Sequence, residues 1–288
     1  MKIAHFRDHH EAVVRIGILD GDVVRDATGL LDPFDPTALD HGVNDRFDLD
    51  GGFLERTRAG LDGLPALAVS DVRLLPPVPR PGKVICIGLN YADHAAESGM
   101  EPPESPLVFS KFPSNVVGPD DAVPMPLGES ESDYEAELAV VIGRRAWRVD
   151  EAGAMNHVLG YSCSNDLSAR AFQFADGQWQ RGKSCEGFCP LGPFIATVDE
   201  IADPHDLRIR LRLNDETVQD SSTNQLIFGI PALVAHLSSF VTLEPGDVIL
   251  TGTPPGVGFA RKPPIRLKSG DRMEVEIDGL GVLRNTMA

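Results

Sequence analysis

Positive charge is scarce in this chain. Its 288 residues carry 26 Lys and Arg against 43 Asp and Glu, a formal net charge of −17. A surface that acidic repels nucleic acid and anionic membranes, so neither is expected as a partner. An anionic substrate would have to find local positive charge, from a metal ion, Lys or Arg. Long apolar runs are also missing: none approaches the ~20 residues that cross a bilayer. The first residues, Met1-Lys2-Ile3-Ala4-His5-Phe6-Arg7, hold no apolar signal core, and a cytoplasmic protein is expected. Cysteine is limited to Cys86, Cys163, Cys185 and Cys189. Cys86 and Cys163 lie in apolar runs and read as small buried residues. Cys185 and Cys189 have no His or further Cys nearby to complete a zinc site, and no disulfide framework is expected. The loop Thr251-Gly252-Thr253-Pro254-Pro255-Gly256-Val257-Gly258 lacks the Gly-Lys-Ser/Thr ending of a P-loop, which excludes that mode of nucleotide binding.

What is present is the composition of a globular chain, 42% hydrophobic and 24% charged. Residues 13–19, the turn Asp20-Gly21 and residues 22–25 have the pattern of a β-hairpin. A stretch rich in Asp, Gly and Pro follows over 32–52, then a short helical patch near 53–61. Pro76-Pro77-Val78-Pro79-Arg80-Pro81-Gly82 reads as a linker. Two units are therefore expected: a small N-terminal α/β domain over 1–75 and a large one over 76–288. The large unit is strand-rich with short helices and no βαβ rhythm, which places the chain in the α+β class.

The segment Asp133-Tyr134-Glu135-Ala136-Glu137-Leu138-Ala139-Val140-Val141-Ile142-Gly143 carries the first chemical signal. Its apolar residues recur at every second position, so it reads as a strand with Glu135 and Glu137 on one face. Two carboxylates so placed are either a solvated pair on a wet face or two ligands of a hard divalent cation. Near 89–99 a short helix is expected, with Asn90 as N-cap and Gly99 as stop. It puts His94 and Glu97 three apart on one face, as a simple surface pair or as a base oriented by a carboxylate. Lys111 reads as a solvated lysine or as one that faces the site. Asp166 ends a strand and precedes a helical segment over 167–173, where an N-cap role is available to it. Lys183 is either a surface residue or the cation that holds an anionic substrate.

Together these motifs resemble the fumarylacetoacetate hydrolase superfamily. The matching segments are Gly88-Leu89-Asn90-Tyr91-Ala92-Asp93-His94-Ala95-Ala96-Glu97, Asp133-Tyr134-Glu135-Ala136-Glu137-Leu138, Asn165-Asp166-Leu167-Ser168-Ala169-Arg170, Gly182-Lys183-Ser184 and 252–258, in family order over residues 83–288. The resemblance implies a mixed β-sheet roll as catalytic domain, a homodimer, and Mg²⁺ or Mn²⁺ held by Glu135, Glu137 and Asp166. It implies His94 and Glu97 as a water-activating pair on a lid helix, Lys183 as the substrate-binding lysine, and Arg170, Gln173 and Thr253 as pocket residues. Many relatives carry Arg where this chain has Leu89, so one polar substrate contact is expected to be missing. The segments over 87–100 and 227–264 look most like bacterial hydrolases of 2,4-diketo-3-deoxy sugar acids.

The expected substrate is a small anionic oxo acid, and the expected reaction is metal-dependent hydrolysis of a C–C bond in an acylpyruvate-like 2,4-dioxo acid. His94 would deprotonate a water, and a pyruvate-type enolate would leave. The alternative is an oxaloacetate decarboxylase or a keto–enol isomerase of the 2-hydroxyhepta-2,4-diene-1,7-dioate type, which uses the same enolate without attack by water.

Overall fold

The computed structural model describes residues 1–9, 12–31 and 47–288. Most of the Asp-, Gly- and Pro-rich stretch noted above lies outside these residues. The centre of the fold is the strand Ala136–Ile142, all seven residues of which are buried. It pairs antiparallel with Val158–Asn165 on one side, Glu137 opposite Ser164, and with Val248–Leu250 on the other. Val248–Leu250 in turn pairs parallel with Val84–Gly88, so the sheet is mixed. Among the described residues, twelve strands make up this sheet, which ends at Ala66–Ala68 on one side and at Leu107–Lys111 on the other. A second sheet of five strands contains Arg208–Leu213, Arg272–Ile277 and Gly281–Met287. The fold is therefore the strand-rich α+β arrangement expected from the pattern.

The two sheets face each other across one core. Leu138, Val140, Ile142 and Cys163 come from the large sheet, and Ile209, Leu211, Val275 and Leu283 from the small one. The strict alternation over Arg208–Leu213 explains the small sheet's wet side: Ile209 and Leu211 are buried, while Arg210 and Arg212 pair with Glu276 and Glu274. The opposite face of the central strand is not wet. Ala139 and Val141 pack in a second core with Met1, Ile3, Ile16, Phe47, Phe53 and Leu54. The N-terminal residues thus cover a sheet face that the alternation over 133–143 had left open to solvent. Their strand Lys2–Asp8 joins the large sheet directly, Ile3 pairing with Ile195. The expected hairpin is present as Arg15–Asp20 against Val23–Asp26. No helix among the described residues is long and apolar enough to cross a membrane.

Two local expectations change. The helix Ala92–Ser98 stops at Gly99 as expected, with φ of +64°, but Tyr91 and not Asn90 occupies its N-cap. The Asn90 side chain is engaged elsewhere, donating to the Thr251 and Phe228 carbonyls and accepting from the Phe228 N–H. The segment after Asp166 is also not helical at once: Ser168–Ala169 bridges to Ser132–Asp133, and the helix begins at Arg170.

Candidate metal centre

Register brings the carboxylates together. Ala136 lies opposite Asn165, so the residues flanking that pair, Glu135 and Asp166, leave the sheet side by side. The Asp166 N–H donates to the Glu135 carbonyl at 2.8 Å, and the Asn165 side-chain oxygen accepts the Glu135 N–H at 2.9 Å. Glu137 is one strand step on. One oxygen from each of Glu135, Glu137 and Asp166 lies within 4.8 Å of the others, and all three residues are buried.

Cations crowd two of the three. The Lys183 Nζ donates to Glu135 Oε2 at 2.8 Å and to Asp166 Oδ2 at 2.7 Å. Arg170 reaches Glu135 Oε1 at 2.6 Å and Asp133 Oδ2 at 2.7 Å, and its Nη1 donates to Gln173 Oε1 at 3.0 Å. Lys111 pairs with Asp166 Oδ1 and donates to the Leu167 carbonyl at 2.9 Å. Burial pushes the Glu135 carboxyl up, but Lys183 and then Arg170 overcome this and hold it down at about 2. Glu137 differs. It accepts the Gly252 N–H at 2.7 Å. Burial first, and the Asp166 and Glu135 charges next, push its carboxyl well above the usual carboxylate range. A buried, all-oxygen donor set with one carboxylate short of positive charge fits a hard divalent cation.

The loop over 251–258 ties the cluster to the helix that bears His94. Gly252 holds Glu137, and its φ of +105° lies in a region that favours glycine; a Cβ there would also meet Asn90 Cβ at 2.9 Å. Thr253 Oγ1 accepts from Gln219 Nε2 at 2.9 Å. The Gly256 N–H donates to Glu97 Oε1 at 3.0 Å, while Glu97 Oε2 meets His94 Nδ1 at 3.0 Å. Asp93 on the same helix accepts from Ser221 Oγ at 2.6 Å. Through these contacts the His94–Glu97 pair is seated on the loop that also supports Glu137. The His94 side chain is only 14% exposed. At the loop's end, Asp133 accepts the Gly258 and Phe259 N–H groups at 2.7 and 3.0 Å.

Of the residues singled out from sequence, Glu135, Glu137, Asp166, Lys183, Arg170 and Gln173 therefore meet in one buried cluster. His94, Glu97 and Thr253 attach to it through the loop. Asp166 is not a helix cap: the helix begins at Arg170 with Ala169 at its N-cap, and the Asp166 carboxylate is paired with two lysines. Lys111 is not solvated: it is 1% exposed and lies inside the cluster. Asp133 was missed, although it stands two residues before Glu135 in the same alternation that flagged Glu135 and Glu137.

Residues 83–288 match the family model described as the fumarylacetoacetate (FAA) hydrolase C-terminal, the same span as the resemblance read from the motifs. Over 290 residues, 99% of this chain and 89% of the relative, the sequence is 44% identical to an oxaloacetate tautomerase of Xenopus laevis named as mitochondrial. The fold matches maleylpyruvate hydrolase from Sphingobium in complex with manganese(II) and pyruvate, with a TM-score of 0.82 and 32% identity, covering 100% of this chain and 99% of that one. It also matches 2-hydroxyhepta-2,4-diene-1,7-dioate isomerase from Mycobacterium marinum, with a TM-score of 0.77 and 32% identity, covering 100% of this chain and 98% of that one.

Proposed function

The chain belongs to the fumarylacetoacetate hydrolase family, and on that premise we propose that it is a divalent-metal-dependent enzyme acting on small anionic 2-oxo acids through their enol form. The leading reaction is keto–enol tautomerisation of an oxaloacetate-type acid. The observation that carries the reading is the buried cluster of Glu135, Glu137 and Asp166 beside Lys183. The similarity along nearly the whole chain to an oxaloacetate tautomerase favours tautomerisation over the C–C hydrolysis expected first.

Glu135, Glu137 and Asp166 would hold Mg²⁺ or Mn²⁺, which when bound supplies Lewis-acid polarisation of a 2-oxo group. Lys183 spends two of its three N–H groups on Glu135 and Asp166 among the described residues, which leaves one for an incoming substrate oxygen. Glu97, at His94 Nδ1, keeps that nitrogen protonated and leaves Nε2 as the base. His94 Nε2 would then take a proton from C3 of the oxo acid as the C3–H electron pair becomes the C2=C3 bond, and the imidazolium would return that proton to the C2 oxygen. Glu97 steadies the imidazolium while it lasts. Arg170 holds Oε1 of Glu135 and is itself held by Gln173, and Thr253 lies in the loop that supports Glu137. A homodimer is part of this proposal.

Hydrolysis of an acylpyruvate is the second reading, and the His94–Glu97 pair favours it. The same Nε2 could take its proton from water, which would add to the C4 carbonyl; the C3–C4 bond would then break, with its electron pair leaving as the pyruvate-type enolate and C4 leaving as a carboxylic acid. The test is an ultraviolet assay of oxaloacetate enol-to-keto conversion with Mn²⁺, run beside acid release from a panel of acylpyruvates. Faster ketonisation by the wild type, lost in His94→Ala with Mn²⁺ binding intact, is the expected result. Acid release alone would replace the first reading with the second, and neither activity on any of these acids would overturn both.

A further inference from the structure

Lys111 stands in an unusual place. It ends the strand Leu107–Lys111 at the edge of the large sheet, where the apolar Leu107 and Val108 are exposed and the lysine is buried. Burying an ammonium group is costly unless it is paired. Among the described residues its pairing is with one carboxylate, Asp166 Oδ1, and one carbonyl, Leu167 O at 2.9 Å. Asp166 is thereby held by two lysines, Lys111 on one oxygen and Lys183 on the other.

The charges around the cluster have a simple balance. Arg170 is offset by Asp133, which it grips at 2.7 Å. With all three ionised as metal ligands, Glu135, Glu137 and Asp166 then face Lys111 and Lys183, a surplus of one negative charge. A divalent cation turns that surplus into one positive charge, which an anionic oxo acid can answer. Without Lys111 the loaded site would be neutral.

We propose that Lys111 is a positioning residue that sets the charge of the loaded site, weakening its hold on the metal in order to keep it attractive to an anionic substrate. The inference rests on the reading of the three carboxylates as metal ligands. It has a sign that a purely structural salt bridge would not show. Replacing Lys111 by a neutral residue removes a cation close to the metal and leaves Asp166 Oδ1 without that partner, and both effects favour binding of an external cation.

The experiment is Mn²⁺ titration of metal-stripped protein, read by electron paramagnetic resonance, on the wild type, Lys111→Met and Lys111→Gln. Both variants should bind Mn²⁺ at least about tenfold more tightly, and the KM for oxaloacetate should rise about tenfold with kcat changed far less. Lys111→Arg, which keeps the charge, should restore both values toward the wild type. If metal-free Lys111→Met is unfolded, recovery of its circular dichroism on adding Mn²⁺ supports the proposal. Failure to recover overturns it. Folded variants with equal or weaker Mn²⁺ affinity, or with tighter Mn²⁺ and an unchanged KM, also overturn it. A wild type that binds no Mn²⁺ would bring down the ligand reading and this inference with it, whereas normal binding by the wild type confines any failure to Lys111.

Discussion

Glu137→Gln tests the electrostatic strain at the centre of the site. The Gln side chain keeps an oxygen for the Gly252 N–H, which Glu137 accepts at 2.7 Å, and removes the charge that Asp166 and Glu135 repel. Two effects follow, and they have opposite signs. With metal, the wild type gains stability by mass action, about 2.7 kcal/mol at a free concentration one hundred times Kd. For a domain of this size that amounts to a rise in Tm of about 5–10 °C, and Glu137→Gln should lose most of it. Without metal, the variant should be the more stable protein, and increasingly so as pH rises. Burial and the neighbouring carboxylates raise the folded-state pKa of Glu137 above its ordinary 4.5, so between those values the native state holds a proton that the unfolded chain has released. The associated stability is present in full below 4.5 and is lost as pH climbs through the folded value. Each unit of elevation costs the wild type ~1.4 kcal/mol at higher pH. Differential scanning fluorimetry from pH 5 to 8, after chelation and again with Mn²⁺, reads both effects. Metal-free Glu137→Gln melting below the wild type at pH 8, or a rise in its Tm with Mn²⁺ equal to that of the wild type, would refute the strain placed on Glu137.

Two further substitutions probe the groups around it. Glu135, held at about 2 against an ordinary 4.5, contributes about 3 kcal/mol that is present above 4.5 and lost as pH falls toward 2. Lys183→Met should shrink this contribution and flatten the acid limb of stability, measured by urea unfolding at a series of pH values; an unchanged slope would refute the role given to the ammonium. Gly258→Ala places a Cβ 2.3 Å from the Ile265 carbonyl and 2.6 Å from Asp133 Oδ1. A loss of about 1–3 kcal/mol is expected, together with reduced turnover because Asp133 is shifted away from Arg170; full activity and an unchanged Tm would show that the Asp133–Arg170 pair does not support Glu135.

Sequence alone carried the class of the fold and most of the site. Period-two alternation is a local property, so the central strand and the pairing of Glu135 with Glu137 on one face were legible. So were the short helix and the spacing of His94 and Glu97, because i, i+3 neighbours share a helix face whatever the rest of the chain does. Only tertiary structure could decide burial. The alternation over 133–143 reads as a strand with one wet face, and Ile3, Ile16, Phe53 and Leu54, more than 75 residues away in the chain, close that face. It is burial that turns Glu137 from a solvated carboxylate into a strained one, since the cost of an unpaired charge depends on the water it has lost. Lys111 shows the same lesson with the opposite sign. Nothing in Phe109-Ser110-Lys111-Phe112 separates a solvated lysine from a buried one. Sheet order sets Val84–Gly88 between Leu107–Lys111 and Val248–Leu250, with the central strand next beyond, and the ammonium ends on Asp166. The three carboxylates were written in the sequence, and the charges that govern them were brought there by the fold.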